Sequence, residues 1–366
     1  MAKQLAHPAS EMRATALQSL RGANFWSARP VTRMDLAVGA YDDISSADVP
    51  GFSERLQSAL PGLFEHRCSI GQRGGFITRL KRGTYAPHII EHVALELQTR
   101  IGHDVGYGKT RGTGNTGEYT IIFEHLHSGV GLRAAALALE IVQRAFAPEL
   151  GPIDYALSEL SAIAASPDAP PMYHHVWCGI TGGGPRRETR EEIARRLGSV
   201  AQDSLIVDVA PGFILQAGLP FSRCELAIVL DSNLTDVPET FRAPDRAQKL
   251  VSVIADAVWR NGILVAPAKA WEVQDYARDE GCRVAIFATD DDVTARDKRV
   301  AHSIARVQLG RIVIESEGTN YDAGALQRGV PPAAQVAAAL AIFMIDVNKP
   351  ELVAPQLNAV PEIADS

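Results

Sequence analysis

The stretch VWCGITGGGPRRETREEIARRL, residues 176–197, decides the fold class of the second half of the chain. Its apolar run at 176–181 is typical of a buried strand, and a Gly-rich turn and a charged helix at 187–197 follow it. The alternation continues with strands predicted at 204–209, 225–230, 263–266 and 283–288 and with helices predicted at 245–261, 271–280 and 333–347. Strands that alternate with helices form a mainly parallel sheet covered on both faces, so we predict an α/β fold.

The composition is that of an ordinary soluble globular protein of 366 residues, 46% hydrophobic and 22% charged. The formal net charge of −7 argues against a general nucleic-acid-binding protein. The four cysteines lie far apart and form no CxxC pair, which indicates a reduced, cytoplasmic protein. The apolar run at 336–345 is shorter than the ~20 residues that a membrane span needs, and the N-terminus shows no apolar signal sequence.

Prolines divide the chain near its middle, in the segment SPDAPP at 166–171, where neither a helix nor a central strand can continue. We therefore expect a leader at 1–20, a first domain at 21–165, a linker at 166–172, a second domain at 173–350 and a frayed tail at 351–366. The first domain is expected to be α+β, with strands at 31–38 and 118–123 and helices at 53–60, 88–101, 132–146 and 155–165.

Histidine is concentrated in the first half, where six of the ten lie between residues 66 and 127. The sharpest pattern is HIIEH, residues 88–92, in a helix predicted from apolar residues that recur every four positions. On this helix His88 and His92 lie about 40° apart and can bind one Zn²⁺. Glu91 lies about 60° to the other side and can act as general base on a metal-bound water. The alternative is a helix with two exposed histidines beside a glutamate.

A catalytic zinc site needs a third protein ligand, and the sequence leaves that ligand open. Glu124, at the end of a strand expected beside this helix, is the preferred candidate. Glu96, one turn beyond His92, is either a ligand or a hydrogen-bond acceptor for a ligand histidine. Glu140 and His66 are further candidates, and a surface carboxylate is the alternative interpretation of Glu124.

Two glycine-rich, basic loops flank the helix, at 71–76 and 106–114. Glycine lets the backbone approach a ligand closely, and Arg73, Lys109 and Arg111 can hold carboxylates of a substrate. The second loop is not a Walker A motif, because its GKT lacks the required glycine spacing and preceding strand. Solvated turns without a ligand are the alternative interpretation of both loops.

The first half resembles the N-terminal domain of cyanophycin synthetases over about residues 21–165. The runs that carry the resemblance are RGANFWS (21–27), VPGF (49–52), LPGLFEHRCS (60–69), GGF (74–76), GTY (83–85), HIIEHVALELQ (88–98) and GYGKTR (106–111). The resemblance implies a domain that engages cyanophycin, a poly-aspartate with arginines on its side chains. In some family members this domain carries a metallohydrolase site that cuts the polymer internally, and the matching residues here are His88, Glu91 and His92.

The second half resembles the central domain of Mur-type ligases through VDVAPGFILQAGL (207–219), RC (223–224) and the helix that contains Lys249. The ATP-grasp domain that the family has between the two parts is missing here. Where the ligases have Gly-x-x-Gly-x-x-Gly-Lys-Thr, this sequence has Pro185, Arg186 and Arg187, so a phosphate-cradling N–H and the compact lysine ammonium are lost. We therefore expect that ligase activity is lost and that no ATP is bound. The alternatives are a loop that binds another anion and a purely structural relic.

These observations predict a zinc-dependent hydrolase, not an ATP-dependent ligase, that cuts cyanophycin or a related polymer internally with Glu91 as general base. The alternative is a non-catalytic scaffold that binds cyanophycin or associates with an active cyanophycin synthetase. The expected cofactor is one Zn²⁺ per chain. The expected partners are the polymer, an active synthetase and further copies of this chain, without nucleic acid or membrane.

Overall fold

The computed structural model describes residues 6–169, 171–198, 205–346 and 358–359. The chain divides into two compact units, the first made of Met1–Arg21 and Arg29–Pro170 and the second of Gly22–Ala28 and Pro171–Ser366. The division near residue 170 falls inside the segment predicted as a linker. The segment Gly22–Ala28, expected in the first domain, belongs to the second unit because Phe25 is buried there beside Phe241, with ring centroids 5.1 Å apart.

The first unit contains a four-stranded antiparallel sheet. Its strands are β1 (Arg13–Leu20), β2 (Val31–Ala37), β3 (Gly108–Gly112) and β4 (Glu118–Glu124). They lie in the order β1-β2-β4-β3, so the two strands predicted from the sequence are the central ones. Met34 and Leu36 of β2 and Ile121 and Phe123 of β4 belong to the hydrophobic core of the unit.

Two edge strands lie where the sequence predicted none. A short helix, α1 (Pro8–Glu11), and then β1 occupy the segment expected to be a leader, so that prediction is wrong for residues 8–20. The apolar and polar residues of β1 alternate too weakly to predict a strand. Its antiparallel pairing with β2 holds this segment in the strand conformation. β3 lies inside the predicted loop at 106–114, where its bounding glycines are typical of turns and only its pairing with β4 makes it a strand.

The described part of the first unit also contains α-helices longer than α1. They are α2 (Phe52–Ala59), α3 (Gly75–Arg82), α4 (Ala86–Arg100), α5 (Ser128–Phe146) and α6 (Asp154–Ala164). Helix α4 begins with Pro87 in its first turn, where the missing N–H is not needed by the helix. Its apolar residues Ile89, Val93 and Leu97 are fully buried, and it packs against both α5 and β4.

The second unit contains one large sheet. Its strands are β5 (Tyr173–Thr181), β6 (Ile206–Asp208), β7 (Phe221–Val229), β8 (Val258–Pro267), β9 (Arg283–Phe287), β10 (Ser303–Gln308), β11 (Arg311–Ser316), β12 (Thr319–Ala325) and β13 (Asn358–Ala359). They lie in the order β13-β12-β11-β10-β9-β8-β7-β5-β6. Neighbours from β10 to β6 run parallel, and neighbours from β13 to β10 run antiparallel. The predicted α/β fold with a mainly parallel sheet is confirmed.

The helices of the second unit are α7 (Arg186–Leu197), α8 (Pro211–Ala217), α9 (Pro244–Ser252), α10 (Trp271–Asp279), α11 (Ala295–Val300) and α12 (Pro332–Asp346). Helix α12 packs against α7 and β10. The helix predicted at 245–261 is shorter than expected, because a 3₁₀ turn covers Val253–Ala257 and the β-prone pair Val258 and Trp259 begins β8.

Strands β10, β11 and β12 were not predicted from the sequence; two-residue turns join them, Leu309-Gly310 and Glu317-Gly318, and all four turn residues have positive φ. The tail predicted at 351–366 lies outside the described residues except for β13. Among the helices of the described part of the chain, none combines the length and the apolar character needed to cross a membrane.

Candidate functional site

A cavity of about 770 Å³ opens in the first unit beside helix α4. Its walls come from α4, from the segment 62–69 that precedes α3, and from the segment 105–108 that leads into β3. The ionisable side chains that line it are Glu65, Glu91, Glu96, His66, His88, His92, Arg67, Arg100, Cys68 and Tyr107. Acidic, basic and neutral polar groups are therefore concentrated in one concave surface, which makes this cavity the candidate ligand site of the first unit.

Helix α4 brings the three residues of the HIIEH pattern to one wall. His88 and His92 are one turn apart, with ring centroids separated by 4.7 Å and ring planes at 88°. Phe76 stacks on the ring of His92 at a centroid distance of 4.0 Å and so holds it in place. Glu91 Oε2 lies 3.7 Å from His88 Nδ1 and accepts a hydrogen bond of 2.5 Å from Thr110 Oγ1 on β3.

Cys68 joins this group, although the sequence analysis did not consider it. Its Sγ lies 3.2 Å from His88 Nε2, and its backbone adopts a left-handed φ of 51°. One potential ligand atom from each of Cys68, His88 and His92 lies within 4.8 Å of the other two. A thiolate and two imidazoles are ligands that Zn²⁺ prefers, so this donor set fits the predicted metal. The sequence feature that could have pointed to Cys68 is its position within LPGLFEHRCS, one of the runs that resemble the family.

Glu124, the preferred third ligand in the sequence analysis, has a different role in the structure. Its Oε2 accepts backbone hydrogen bonds from Gly106 N at 3.4 Å and Tyr107 N at 3.2 Å, and lies 3.8 Å from Arg29 Nη1. It therefore holds the 105–108 wall in place and is not part of the set of donor atoms. Glu140, another candidate, accepts a hydrogen bond from Tyr155 at 2.8 Å on the outer face of α5.

The remaining two candidates, His66 and Glu96, lie next to the donor set. His66 Nδ1 is 2.8 Å from His92 Nδ1, and His66 Nε2 is 3.3 Å from Glu96 Oε2. Glu96 is only 2% exposed, and its Oε1 has no hydrogen-bond partner among the described residues. Glu96 thus orients a histidine that contacts His92, as a supporting carboxylate does in many metal sites.

Burial and mutual contacts shift the pKa values of the donor groups in different directions. Burial opposes ionisation of Cys68, but its contact with His88 and hydrogen bonds to Ser69 outweigh that and lower the pKa of Cys68 to about 7. Burial also opposes protonation of His88, yet Cys68 and Glu91 raise the pKa of His88 to about 9. Burial and the neighbouring positive charges lower the pKa of His92 to about 2. Since metals bind thiolate and neutral imidazole, Cys68 and His92 are near the required states and His88 must release a proton.

The three basic residues predicted to bind substrate do not line the cavity. Arg73 donates a 2.5 Å hydrogen bond to Glu65, and its guanidinium carbon lies 5.1 Å from the centroid of the Phe64 ring. Lys109 and Arg111 lie on β3 opposite Ile122 and Thr120 of β4. The arginines that do line the cavity are Arg67, inside the family-like run LPGLFEHRCS, and Arg100, which no sequence motif singled out.

In the second unit, a carboxylate from another segment hydrogen-bonds to the backbone of the Gly-rich loop at 182–184. Asp231, directly after β7, accepts hydrogen bonds through Oδ1 from Gly183 N at 3.0 Å and Asn233 N at 2.9 Å. A Cβ atom on Gly183 would lie 2.0 Å from Asn233 O, so glycine is needed for this close approach. Arg186 folds back to donate to Gly182 O. The expectation that this loop binds no ATP stays a prediction.

Comparison with known proteins finds relatives for most of the first unit. Residues 33–147 match the family of the cyanophycin synthase-like N-terminal domain. Cyanophycin synthetase of Trichormus variabilis is 44% identical over 136 residues, which is 36% of this chain and 15% of that protein. The cyanophycin synthetase of Synechocystis sp. is 42% identical over 149 residues, 39% of this chain and 16% of that protein. The chain therefore spans about 15% of the length of the curated relatives it matches.

Solved structures similar to the chain include two MurF proteins. MurF from Acinetobacter baumannii has a TM-score of 0.33 and 13% identity, covering 58% of this chain and 51% of that one. MurF ligase from Thermotoga maritima in complex with ADP has a TM-score of 0.33 and 12% identity, covering 58% of this chain and 52% of that one.

The relatives overturn one part of the sequence analysis and confirm another. Both relatives are named synthetases, so the comparison supports a ligase relationship. The prediction of a metal-dependent hydrolase that is not an ATP-dependent ligase is therefore wrong. The resemblance to cyanophycin synthetases is confirmed. The cavity and its donor atoms lie within residues 33–147, the part of the chain that matches the cyanophycin synthase-like N-terminal domain.

Proposed function

We propose that this protein binds cyanophycin through its first unit and serves the synthesis of that polymer. The observation that carries the proposal is the cavity of about 770 Å³ inside the cyanophycin synthase-like domain. Carboxylates and guanidinium groups line it together. Each branch of a poly-aspartate with arginine side chains offers one guanidinium group and one carboxylate, so polymer and cavity have complementary charges of both signs.

The exposed arginines of the cavity are the proposed contacts to the polymer. Arg67 and Arg100 are exposed and can bind branch carboxylates. Exposed ion pairs are weak individually, about 0–1 kcal/mol each, and salt screens them. A polymer with the same branch at every residue offers many equivalent attachments, so a modest affinity for one branch gives strong retention on the chain as a whole.

We also propose that Cys68, His88 and His92 hold a Zn²⁺ ion. The three donor types fit this metal, and their ligand atoms lie within 4.8 Å of one another. When bound, the ion would tie segment 62–69 to α4 and offer a positive charge to a carboxylate. Phe76 stacks on the ring of His92 and keeps it in place. Glu91 lies beside Nδ1 of His88, the ring nitrogen opposite the one that contacts Cys68.

Sedimentation with insoluble cyanophycin tests the binding proposal. We expect the full-length protein to pellet with the polymer at low salt and to be released as salt is raised. The double variant Arg67→Ala/Arg100→Ala should pellet at least about threefold less well, whereas Lys81→Ala/Arg82→Ala, at exposed basic residues outside the cavity, should behave like wild type. Failure of the wild-type protein to pellet overturns the proposal, and so does an equal loss in both double variants.

A reconstituted reaction tests the link to synthesis. Purified cyanophycin synthetase is supplied with its substrates and a short polymer, and incorporation of labelled arginine is measured with and without this protein. We expect wild-type protein to change the rate and Arg67→Ala/Arg100→Ala to change it less. An identical rate in all three reactions would remove the synthetic role and leave polymer binding alone.

A further inference from the structure

Strand β3 (Gly108–Gly112) lies at one edge of the four-stranded sheet of the first unit. It pairs with β4, and among the described residues no strand pairs with its other side. Natural proteins protect such edges with prolines, bulges, covering segments or charges, because unpaired N–H and C=O groups are a template for another strand. The pairing of β3 with β4 shows no bulge, and β3 contains no proline. Only charges distinguish this edge from an open template.

The backbone groups that face the free side of β3 follow from its hydrogen bonds to β4. The carbonyl oxygen of Tyr107 accepts a bond of 2.9 Å from Glu124 N, and Thr113 N donates one of 3.1 Å to Glu118 O. Along an antiparallel pair, residues bonded in this way alternate with residues whose N–H and C=O point away from the partner strand. The residues with outward backbone groups are therefore Gly108, Thr110 and Gly112.

Glycines leave room for another main chain at this edge. A Cβ atom on Gly106 or Gly112 would meet no atom within 4 Å, and neither residue has a positive φ. Neither packing nor backbone conformation in the described part of the chain therefore requires these glycines. Gly108 differs, because a Cβ there would lie 2.8 Å from Cγ of Glu91. A glycine that the fold does not require is typical of a place where a second backbone approaches closely.

Two cations on β3 lack a carboxylate partner within the described residues. They are Lys109 and Arg111, which lie on the same face of the sheet because side chains alternate along a strand. The neighbouring carboxylates are engaged elsewhere: Asp35 pairs with Arg33 at 2.9 Å, and Glu118 accepts a bond of 2.9 Å from a side chain of the β3–β4 turn. The free edge therefore carries an unmatched positive charge.

This charge disfavours a second copy of the chain as the occupant of the edge. Two β3 strands related by a two-fold axis would pair their outward groups in a register centred on residue 109, 110 or 111. These registers set Lys109 opposite Lys109, Lys109 opposite Arg111, or Arg111 opposite Arg111 of the second copy. Like charges directly opposite one another destabilise a strand pair, whereas opposite charges stabilise it.

We infer that β3 binds an extended acidic segment of a partner protein, which joins the sheet as a fifth strand. The main chain of the segment bonds to Gly108, Thr110 and Gly112, and Asp or Glu side chains at alternate positions lie opposite Lys109 and Arg111. These two positions form non-hydrogen-bonded pairs, in which side chains of adjacent strands are closest.

The occupant differs from the polymer of the proposed function. In a poly-aspartate with arginines on its side chains, the aspartate carboxyl groups are already linked, so no free carboxylate lies close to the main chain. None of the residues that carry the inference is among the proposed polymer contacts, Arg67 and Arg100. The inference therefore goes beyond polymer binding and does not depend on it.

Fluorescence anisotropy with a labelled, capped peptide of alternating threonine and glutamate tests the inference on the full-length protein. The peptide is about seven residues long, enough to span β3. We expect saturable binding to wild-type protein that weakens as salt is raised, and at least about tenfold weaker binding of the same peptide with lysine in place of glutamate. No binding of the acidic peptide at about millimolar concentration overturns the inference.

Methylated peptides show whether the main chain is recognised. N-methylation of the threonine amides removes the N–H groups that would bond to β3, whereas N-methylation of the glutamate amides changes groups that point away from β3. We expect the first change to weaken binding at least about tenfold and the second to keep it within about threefold. Equal affinities of the two methylated peptides would show binding by charge alone and overturn the inference.

A pair of double variants then locates the binding site. Lys109→Ala/Arg111→Ala should weaken peptide binding at least about fivefold, whereas Lys81→Ala/Arg82→Ala, with the same change in net charge, should bind like wild type. Equal losses in the two variants contradict the inference. Dimers that the peptide dissociates would assign the edge to a second copy instead. Weaker pelleting of Lys109→Ala/Arg111→Ala with cyanophycin, without any peptide binding by wild type, would assign the edge to the polymer.

Discussion

Cys68 Sγ and His88 Nε2 lie 3.2 Å apart, although 20 residues separate them in the chain. The contact joins the irregular segment 62–69 to helix α4, and it completes a set of one sulfur and two nitrogen donors with His92. The thiol is half-buried, whereas Cys178, Cys224 and Cys282 are buried in the second unit. The pKa of Cys68, lowered to about 7, also sets this cysteine apart from Cys224, whose thiol pKa is raised by burial.

Metal binding should depend on Cys68. We expect about one Zn²⁺ per wild-type chain by elemental analysis, and at least about tenfold weaker Zn²⁺ binding in Cys68→Ser, because a neutral hydroxyl replaces a thiolate ligand. Co²⁺ substitution gives an independent measurement, since a thiolate-to-metal charge-transfer band appears only when sulfur is a ligand. His174→Ala, at an exposed histidine, is the matched control and should bind zinc normally.

Two results would contradict this assignment. One is wild-type protein that takes up no zinc even when zinc is supplied. The other is Cys68→Ser protein with unchanged zinc affinity, which would leave His88 and His92 with a third ligand other than Cys68. Glu124 lies outside the donor set of Cys68, His88 and His92, and backbone N–H groups of residues 106 and 107 engage its Oε2.

The parts of the site that the sequence predicted are those fixed by local spacing. Apolar residues every four positions and Pro87 place α4, and helical periodicity then brings His88, Glu91 and His92 to one wall. Cys68 could not be found in this way, since segment 62–69 has no regular period and reaches His88 only through tertiary packing. The strand that ends at Glu124 was predicted, but the direction of its side chain depends on a contact with residues 106 and 107.

The same distinction applies to the fold. Alternating strands and helices of the second half predict the parallel part of the large sheet, because each apolar run is bounded by a turn and a helix. The edge strands β1 and β3 carry weak patterns, and pairing with a neighbour is what orders them. Their omission is an example of tertiary context outweighing local preference.

Gly62→Ala should disturb the cavity through Glu96. The new methyl group would lie 2.0 Å from Glu96 Oε1, so the carboxylate or the backbone must move, and we expect unfolding free energy to fall by about 1–3 kcal/mol. Gly106→Ala is a matched control, because Gly106 also lines the cavity and a Cβ there meets no atom within 4 Å. Urea unfolding measures both variants.

A second substitution shows whether the clash is the cause. In Gly62→Ala/Glu96→Ala the carboxylate is gone, so the cost of the added methyl group should largely disappear relative to Glu96→Ala alone. An equal cost of Gly62→Ala in the presence and absence of the Glu96 carboxylate would show that the glycine is required for another reason.

The stability of the second unit should depend on the protonation of Asp256. Burial raises the pKa of Asp256 from 3.8 to about 6, although the hydrogen bond of 2.7 Å from Tyr276 lowers it. The folded state therefore binds this proton more tightly, so the contribution is fully present below pH ~4 and is lost as pH rises through 6. Asp256→Asn should be more stable than wild type at pH 7, by at most about 3 kcal/mol, and the difference should vanish near pH 4.

Urea unfolding at a series of pH values measures this effect. The amide oxygen introduced by Asp256→Asn still accepts the hydrogen bond from Tyr276, so the comparison isolates the charge. Asp279→Asn on the exposed face of α10 is the control and should follow wild type at every pH. A constant difference between Asp256→Asn and wild type from pH 4 to pH 8 would contradict the assignment.

A nucleotide phosphate that enters the Gly-rich loop of the second unit must displace Asp231. The Oδ1 atom of Asp231 occupies the N–H groups of Gly183 and Asn233, and its negative charge repels phosphate. Asp231→Asn keeps the shape without the charge, so we expect calorimetry to detect ATP binding in this variant that is at least about fivefold stronger than any in wild type, ~1 kcal/mol. Asp245→Asn, an exposed residue of α9, controls for net charge. Equal ATP affinities of wild type and Asp231→Asn would mean that Asp231 does not close the loop to phosphate.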